Sequence, residues 1–184
     1  MSATRPDVVY QGRGAEALLA AQAFVERLAA EEYDAVVSDV VRNEVASLVR
    51  GFEGGRDALL TAERDGRLIG FLLVTGDRVD PAVAHFDWLA VDGAERNGGV
   101  GRELIFRGIE ACRERRLLVL RARSFAGSAA APHLYWLYGF RVVDLVPVTV
   151  GEATRETIHF EKRLSPPAMS SGSGERSAEL LSDG

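Results

Sequence analysis

The segment Leu89–Gly101, LAVDGAERNGGVG, runs from an apolar stretch into a cluster of glycines and decides the fold. Gly98, Gly99 and Gly101 lack a Cβ atom, so the backbone there can approach a ligand closely. The apolar period that follows predicts a helix from residue 100 to about residue 113. The first amides of a helix have no internal acceptor and lie at the positive end of its dipole. The segment therefore predicts a strand, an anion-binding turn and a helix.

Three other interpretations of this turn have to be weighed. A phosphate-binding P-loop needs a lysine and then a Ser or Thr after its last glycine, whereas Arg102 and Glu103 follow Gly101. A dinucleotide fingerprint needs a third glycine where Leu104 stands, and its strand should open a βαβ array. The third interpretation is a turn that only connects a strand to a helix. Arg96 and Arg102 flank the turn and suit phosphate oxygens, so a pyrophosphate is its natural ligand.

The remaining patterns predict helices and strands around this segment. Apolar residues at helical spacing indicate helices at about 15–30 and from about 36 to just before Gly51. Strands are expected at about 7–11, 58–63, 68–76, 83–91, 117–123, 140–148 and 157–163, with a short helix ending near Tyr138. Asp65-Gly66 supplies the positive φ angles of a tight hairpin. A helix links strands 83–91 and 117–123, so these two should run parallel if they are adjacent, with a right-handed crossover.

The fold class is therefore α/β of the α+β type, in one domain. We expect a mixed, mostly antiparallel sheet of about six to seven strands, flanked by helices on both faces. Residues 1–6 are polar and predict a flexible N-terminus, and 7–164 form the domain. Residues 165–184 are rich in Ser, Gly and Pro and predict a disordered tail.

Composition limits the function classes. The net charge of −5 argues against nucleic acid as a partner, because such binding needs a basic face. Cys112 is the only cysteine, and the three histidines are dispersed, so neither a disulfide nor a metal site is expected. The N-terminus lacks the apolar core of a signal peptide, and no stretch approaches the ~20 apolar residues of a membrane helix. We expect a cytoplasmic protein with no membrane partner.

Two stretches resemble the GNAT superfamily of N-acetyltransferases. In the first, Arg96, Gly99 and Gly101 match the family's Arg/Gln-x-x-Gly-x-Gly/Ala motif, which follows a strand and opens a helix. In the second, Ala131–Phe140, APHLYWLYGF, is similar to the signature in which Ala-x-x-Leu-Tyr precedes Gly-Phe by three residues. The two signatures stand in the family's order, and the resemblance covers residues 7–164.

The resemblance implies an acetyl-CoA site in which the parallel strand pair splays apart and the pantetheine arm lies in the opening. The residues that it assigns to the cofactor are Leu89, Ala90, Val91, Arg96, Asn97, Gly98, Gly99, Val100, Gly101, Arg102, Ser128 and Ala131. The N–H of Leu89 is the candidate donor to the thioester oxygen. Ser128 stands where the family commonly has Asn, and Gly93 where it often has Pro.

The resemblance also implies three catalytic candidates. Tyr135 matches the tyrosine that points at the sulfur, and a phenol is protonated at neutral pH. His85 and Asp87 match positions that carry a base and a second polar residue in some family members. On a regular strand they share a face with Leu89 and Val91. Without the resemblance, Tyr135 would be a core aromatic, His85 a hydrogen-bonded sheet residue and Asp87 the partner of an arginine.

The predicted function is an N-acetyltransferase that moves an acetyl group from acetyl-CoA to a primary amine by direct transfer in a ternary complex. The alternative is a non-catalytic acyl-CoA-binding or regulatory module of the same fold. The acceptor stays open between a small-molecule amine, a peptide N-terminus and a protein lysine. Exposed edge strands of the sheet are compatible with a homodimer.

Overall fold

The computed structural model describes residues 7–32, 35–125, 130–150 and 153–165. Within them the chain forms seven strands: β1 (Val9–Arg13), β2 (Ala58–Arg64), β3 (Arg67–Gly76), β4 (Val83–Val91), β5 (Val119–Phe125), β6 (Arg141–Val150) and β7 (Ala153–Arg163). The four α-helices are α1 (Leu18–Glu32), α2 (Ala35–Arg50), α3 (Val100–Glu114) and α4 (Ala130–Leu137). Single 3-10 turns lie at Ala15–Ala17 and Gly93–Glu95. The predicted flexible N-terminus, all but the first residue of the predicted tail and Ser128 lie outside the described residues.

The strands form one mixed sheet in the order β1-β2-β3-β4-β5-β7-β6. Neighbouring strands are antiparallel except for β4 and β5, which are parallel as the linking helix predicted. The β2–β3 hairpin turns at Asp65 and Gly66 with φ angles of 52° and 73°, which confirms the predicted tight turn. The element order and the α+β fold class are thus confirmed.

The helices cover both faces of the sheet because the strands alternate apolar side chains between two cores. One core lies under α3 and α4, and its largest fully buried members include Phe86, Leu104, Ile105 and Leu120. The other lies under α1 and α2 and includes Phe24, Val41, Leu59 and Phe71. We call these the α3 face and the α2 face of the sheet.

The element ends differ from the predictions by a few residues. Helix α1 begins at Leu18, because Ala15–Ala17 forms a tighter 3-10 turn before it. Strand β7 begins at Ala153 rather than 157, since its pairing with β6 starts there and runs to Glu161. Such shifts leave the topology unchanged.

No helix among the described residues is long and apolar enough to cross a membrane. Strands β1 and β6 are the edges of the sheet. Strand β6 exposes Val142, Val143 and Leu145, each by more than half of its surface. The homodimer stays a prediction.

Candidate active site

The turn between β4 and α3 has the backbone that an anion site requires. Gly99 is the N-cap of α3 with φ 87° and ψ −5°, and Asn97 also has a positive φ, 64°. No described side chain caps this helix, so its first amides keep N–H groups without an acceptor. A Cβ atom at Gly99 would meet nothing within 4 Å. The turn therefore presents N–H donors to open space at the positive end of the helix dipole.

The start of the turn is fixed by Asp92, whose side chain is buried. Its carboxylate accepts hydrogen bonds from the Ala94 N–H and from Arg27 of α1, both at 3.1 Å, and Arg67 of β3 lies 3.5 Å away. Burial acts against the charged form, but these donors outweigh it and hold the pKa of Asp92 below its usual value. A charged carboxylate thus ties the turn to α1 and β3.

The two arginines that flank the turn are used differently. The Arg96 Nε donates to the Val91 carbonyl at 3.2 Å, and its guanidinium pairs with Glu32 of α1. The Arg102 side chain is exposed and forms no ion pair with any described residue. Its carbonyl accepts a hydrogen bond from the Tyr138 hydroxyl at 3.0 Å, which links the start of α3 to the end of α4. Arg102 is therefore the arginine whose charge is available at the turn.

The hydrogen-bonded pairing of β4 with β5 ends beside this turn. Their ladder runs from Val83–Val119 only as far as Phe86–Ala122, although β4 continues to Val91 and β5 to Phe125. Beyond Phe86, β4 is hydrogen-bonded to β3 on one side alone. Its other edge faces the opening between the two strands. Within the described residues, no strand pairs with β4 near Leu89 on that side, so its backbone groups suit an extended ligand.

A bulge in β4 corrects the predicted facing of His85. The register with β3 shifts at Asp87, the extra residue between the pairs Leu73–Trp88 and Val74–Phe86. Leu89 and Val91 pack in the α3 core with Ala84 and Phe86, whereas Trp88 and Ala90 pack in the α2 core. His85, between Ala84 and Phe86, therefore lies on the α2 face, opposite Leu89 and Val91. The prediction of one shared face was wrong because the bulge reverses the alternation.

His85 and Asp87 line one cavity of about 370 Å³ on the α2 face. The His85 Nε2 lies 2.9 Å from Asp77 Oδ2, in the loop after β3. The Thr75 hydroxyl donates a hydrogen bond to Asp87. Leu48 and Gly51 at the end of α2 close the other side of the cavity. The structure thus brings the two candidate bases together and adds a further acid, Asp77.

Tyr135 lies on the other face of the sheet, in the α3 core. Its ring packs against Phe140 and Phe160, each with centroids 5.3 Å away, and the residue is 2% exposed. Burial raises the pKa of its hydroxyl, and the negative charge of Asp87 raises it further. Asp87 is the first residue of β4 beyond the last ladder pair, Phe86–Ala122, and lines the cavity on the α2 face. Tyr135 and Asp87 therefore lie on opposite faces of the sheet.

This combination of a splayed parallel pair, an uncapped glycine turn and a buried tyrosine agrees with the sequence comparison. The family model described as "Acetyltransferase (GNAT) family" matches residues 22–140. The chain belongs to the GNAT acetyltransferase family. Its enzyme class is therefore acyltransferase, as the two signatures implied. Comparison of the sequence with curated proteins gives no match.

Several solved structures share the fold of this chain. The ribosomal-protein-S18-alanine N-acetyltransferase of Escherichia coli is 19% identical, with a TM-score of 0.68 over 89% of this chain and 99% of that one. A ribosomal-protein-alanine N-acetyltransferase of Brucella melitensis is 23% identical, with a TM-score of 0.66 over 85% and 99%. Ard1 of Thermoplasma volcanium is 19% identical, with a TM-score of 0.65 over 86% and 98%. At these identities the likeness concerns the fold.

Two other predicted cofactor residues of this GNAT chain, Gly101 and Ala131, lie near or on α4. Gly101 is half-buried, and a Cβ atom there would lie 3.3 Å from Leu134 of α4 and 3.6 Å from Val91. Ala131, also on α4, packs at the edge of the α3 core. Ser128 lies outside the described residues, so the departure at that position stays a prediction.

Two sets of charged residues near the opening were not predicted from the sequence. Glu44 of α2 forms an ion pair with Arg123 of β5. This pair joins α2 to the sheet beside the point where β4 and β5 separate. Burial raises the pKa of Glu44, Arg123 opposes this effect, and the charge of Asp87 adds to it. Asp77 precedes Arg78-Val79-Asp80-Pro81, a pattern that predicts a turn but names no partner for the carboxylate. Within the described residues of this GNAT domain, no group of three or more His, Cys, Asp or Glu could hold a metal ion.

Proposed function

We propose that this chain is an N-acetyltransferase that moves the acetyl group of acetyl-CoA directly to a primary amine in a ternary complex. The observation that carries the proposal is the β4–β5 opening, which is bordered by Asp87 and by the turn at residues 96–101, called here the α3 turn. Helix α4, which carries Tyr135, lies against the start of α3 through Leu134 and the Tyr138–Arg102 hydrogen bond. An anion site, a strand edge for an extended arm and polar groups on both faces meet there. Each of these serves a different part of the reaction.

The α3 turn fits a pyrophosphate. Its N–H groups have no acceptor within the described residues, and the space in front of Gly99 is open. Arg102 adds a positive charge that no described acid neutralises. A P-loop lysine is not needed, because the donors are backbone amides and the helix dipole. The free edge of β4 beyond Phe86 suits the amide groups of the pantetheine arm.

Tyr135 is the proposed donor to the leaving sulfur. Its raised pKa keeps the phenol protonated at neutral pH, so its O–H can donate to a developing thiolate. A thiol gives up its proton more readily than this phenol does. Tyr135 therefore stabilises the thiolate by a hydrogen bond and does not have to lose its own proton.

The acceptor approaches from the α2 face, where His85 and Asp87 line the cavity. A cationic amine must lose one proton before its lone pair can attack, and a neutral imidazole is a suitable acceptor. The C–N bond then forms as the C–S bond breaks, and the second amine proton ends on the departing sulfur, directly or through water. Holding both reactants at the opening supplies much of the rate enhancement.

Two measurements test the proposal. Thermal unfolding with and without CoA tests the cofactor site, and thiol release from acetyl-CoA across a panel of polyamines, aminoglycosides and tripeptides tests transfer. We expect CoA to raise Tm and at least one amine to be acetylated. Tyr135→Phe should retain CoA binding and lower kcat about 100- to 1000-fold, the usual effect of losing one such donor.

The opposite outcomes are equally clear. CoA binding without turnover of any amine, and without an effect of Tyr135→Phe, would support the non-catalytic module instead. A protein whose Tm does not respond to CoA at all would contradict both functions.

A further inference from the structure

The Asp77 carboxylate binds its own loop with one oxygen atom and His85 with the other. Its Oδ1 accepts the N–H groups of Val79 and Asp80 at 2.8 and 2.9 Å, and its Oδ2 lies 2.9 Å from His85 Nε2. The Asp77 backbone N–H also donates to the Val83 carbonyl at 2.9 Å, which closes the loop from β3 to β4. The carboxylate is therefore held by its own loop, and its second oxygen is left for the imidazole.

This contact determines which nitrogen of His85 carries a proton. The Asp80 N–H, the His85 ring and the Val79 N–H hold the pKa of Asp77 well below its usual range. An ionised carboxylate only accepts hydrogen bonds, so His85 Nε2 must be the donor. In the neutral imidazole, Nδ1 is then the nitrogen with the free lone pair.

The cavity places this imidazole beside the β4–β5 opening. His85 shares the cavity with Asp87, the first residue of β4 beyond the last ladder pair, Phe86–Ala122. The bulge at Asp87 puts His85 on the α2 face, so that its ring lies on the side from which the acceptor approaches. Without the bulge, the alternation would turn His85 towards the α3 core.

Other charges surround the pair. Arg56, Asp57, Arg78 and Asp87 line the same cavity, and Arg121 of β5 is the register neighbour of His85. Arg56 donates a hydrogen bond to Asp57 at 3.0 Å, and Arg121 donates one to Glu161 at 3.4 Å. Among the described residues, Asp77 is the acid that contacts the His85 ring.

We propose that Asp77 is the positioning residue for His85: it accepts the Nε2–H and leaves Nδ1 to take the proton of the acceptor ammonium. The inference rests on the proposed function. The N–H bond of the ammonium breaks and an Nδ1–H bond forms. The resulting imidazolium keeps its Nε2–H on Asp77, which stabilises the positive charge until Nδ1 returns the proton to solvent.

The test is a double-mutant cycle with the amine that the panel identifies as the fastest acceptor. Asp77→Asn keeps an oxygen for the loop N–H groups and removes the charge from His85. We expect it to lower kcat about 10- to 100-fold with little change in KM. His85→Gln should lower kcat by about 100-fold or more, and the double variant should match His85→Gln alone. Asp80→Asn is the matched control, because Asp80 is in the same loop and, among the described residues, its side chain accepts only from the Ala82 N–H.

The outcomes separate this inference from the proposed function. If the two single effects multiply in the double variant, or if Asp77→Asn changes only KM or acts no differently from Asp80→Asn, Asp77 does not act through His85. If the wild-type protein acetylates an amine and neither Asp77→Asn nor His85→Gln changes that rate, the inference is refuted. The proposed transferase function is then unaffected. If CoA binds and no amine turns over, both are refuted. The Tm and the CoA affinity of each variant show whether a loss of activity comes only from damage to the fold.

Discussion

Replacement of Gly99 by alanine tests the cofactor turn at a single atom. The residue has φ 87°, a left-handed conformation that costs an L-residue about 1–2 kcal/mol. The added Cβ atom meets no protein atom within 4 Å, so no steric term adds to this cost. A chain of this size loses about 2–4 °C of Tm for each kcal/mol. We therefore expect Gly99→Ala to lower Tm by about 2–8 °C and to leave the protein folded.

The loss of CoA-binding free energy should be larger than the loss of folding free energy. A methyl group in front of the α3 amides keeps a pyrophosphate oxygen from at least one of them. A hydrogen bond to a charged group is worth about 1.5–3 kcal/mol. At 1.4 kcal/mol for each factor of ten, the Kd of CoA should rise roughly 10- to 150-fold. Isothermal titration calorimetry measures this directly.

Gly66 provides the matched control. It also has a positive φ, 73°, and a Cβ atom there would also meet nothing within 4 Å, but it lies in the β2–β3 hairpin. Gly66→Ala should show a similar loss of Tm with no change in Kd. Equal CoA affinities for the two variants would refute the assignment of the pyrophosphate to the α3 turn.

Three further changes probe the scaffold and the site. Gly108→Ala puts a Cβ atom 2.5 Å from Leu72 Cδ2 and 2.9 Å from Phe86 Cζ, so chemical denaturation should show a loss of about 1–3 kcal/mol from overpacking. Asp92→Asn should lower Tm most at neutral pH: the folded pKa of Asp92 is depressed, so its contribution is present above the unfolded value near 4 and is lost as pH falls below it. A Tm difference that persists unchanged at about pH 3 would contradict this linkage. Arg102→Ala should raise the Kd of CoA about two- to fivefold at low salt and less at high salt, with Tm unchanged; an effect independent of salt would argue against a phosphate contact.

The sequence predicted the features that depend on neighbours along the chain. Asp65-Gly66 marked the hairpin because its positive φ angles are a local property. The apolar period after Gly99 marked α3, and the glycines marked an uncapped N-terminus. The helix between β4 and β5 implied their parallel order, since a parallel pair needs such a crossover. These signals, with the two family signatures, were enough for the fold and the family.

Only the tertiary structure decided which face each candidate side chain occupies. A strand is predicted with a period of two, and nothing in VAHFDWLAV marks Asp87 as an extra residue. The bulge appears only when β4 is paired with β3, and it turns His85 away from the face of Leu89 and Val91. A contact between distant residues, such as Glu44 with Arg123, has no local pattern at all.

The turn at residues 96–101 shows both kinds of information. Its glycines and the following helix could be read from the sequence, because helix termini leave the same amides free in every protein. Its anchoring by Asp92, Arg27 and Arg67 joins three elements that are far apart in the chain. The sequence thus predicted an anion-binding turn in this chain. The packing of α1 and β3 against the turn, and the ending of the β4–β5 ladder at Phe86, decided what that site can reach.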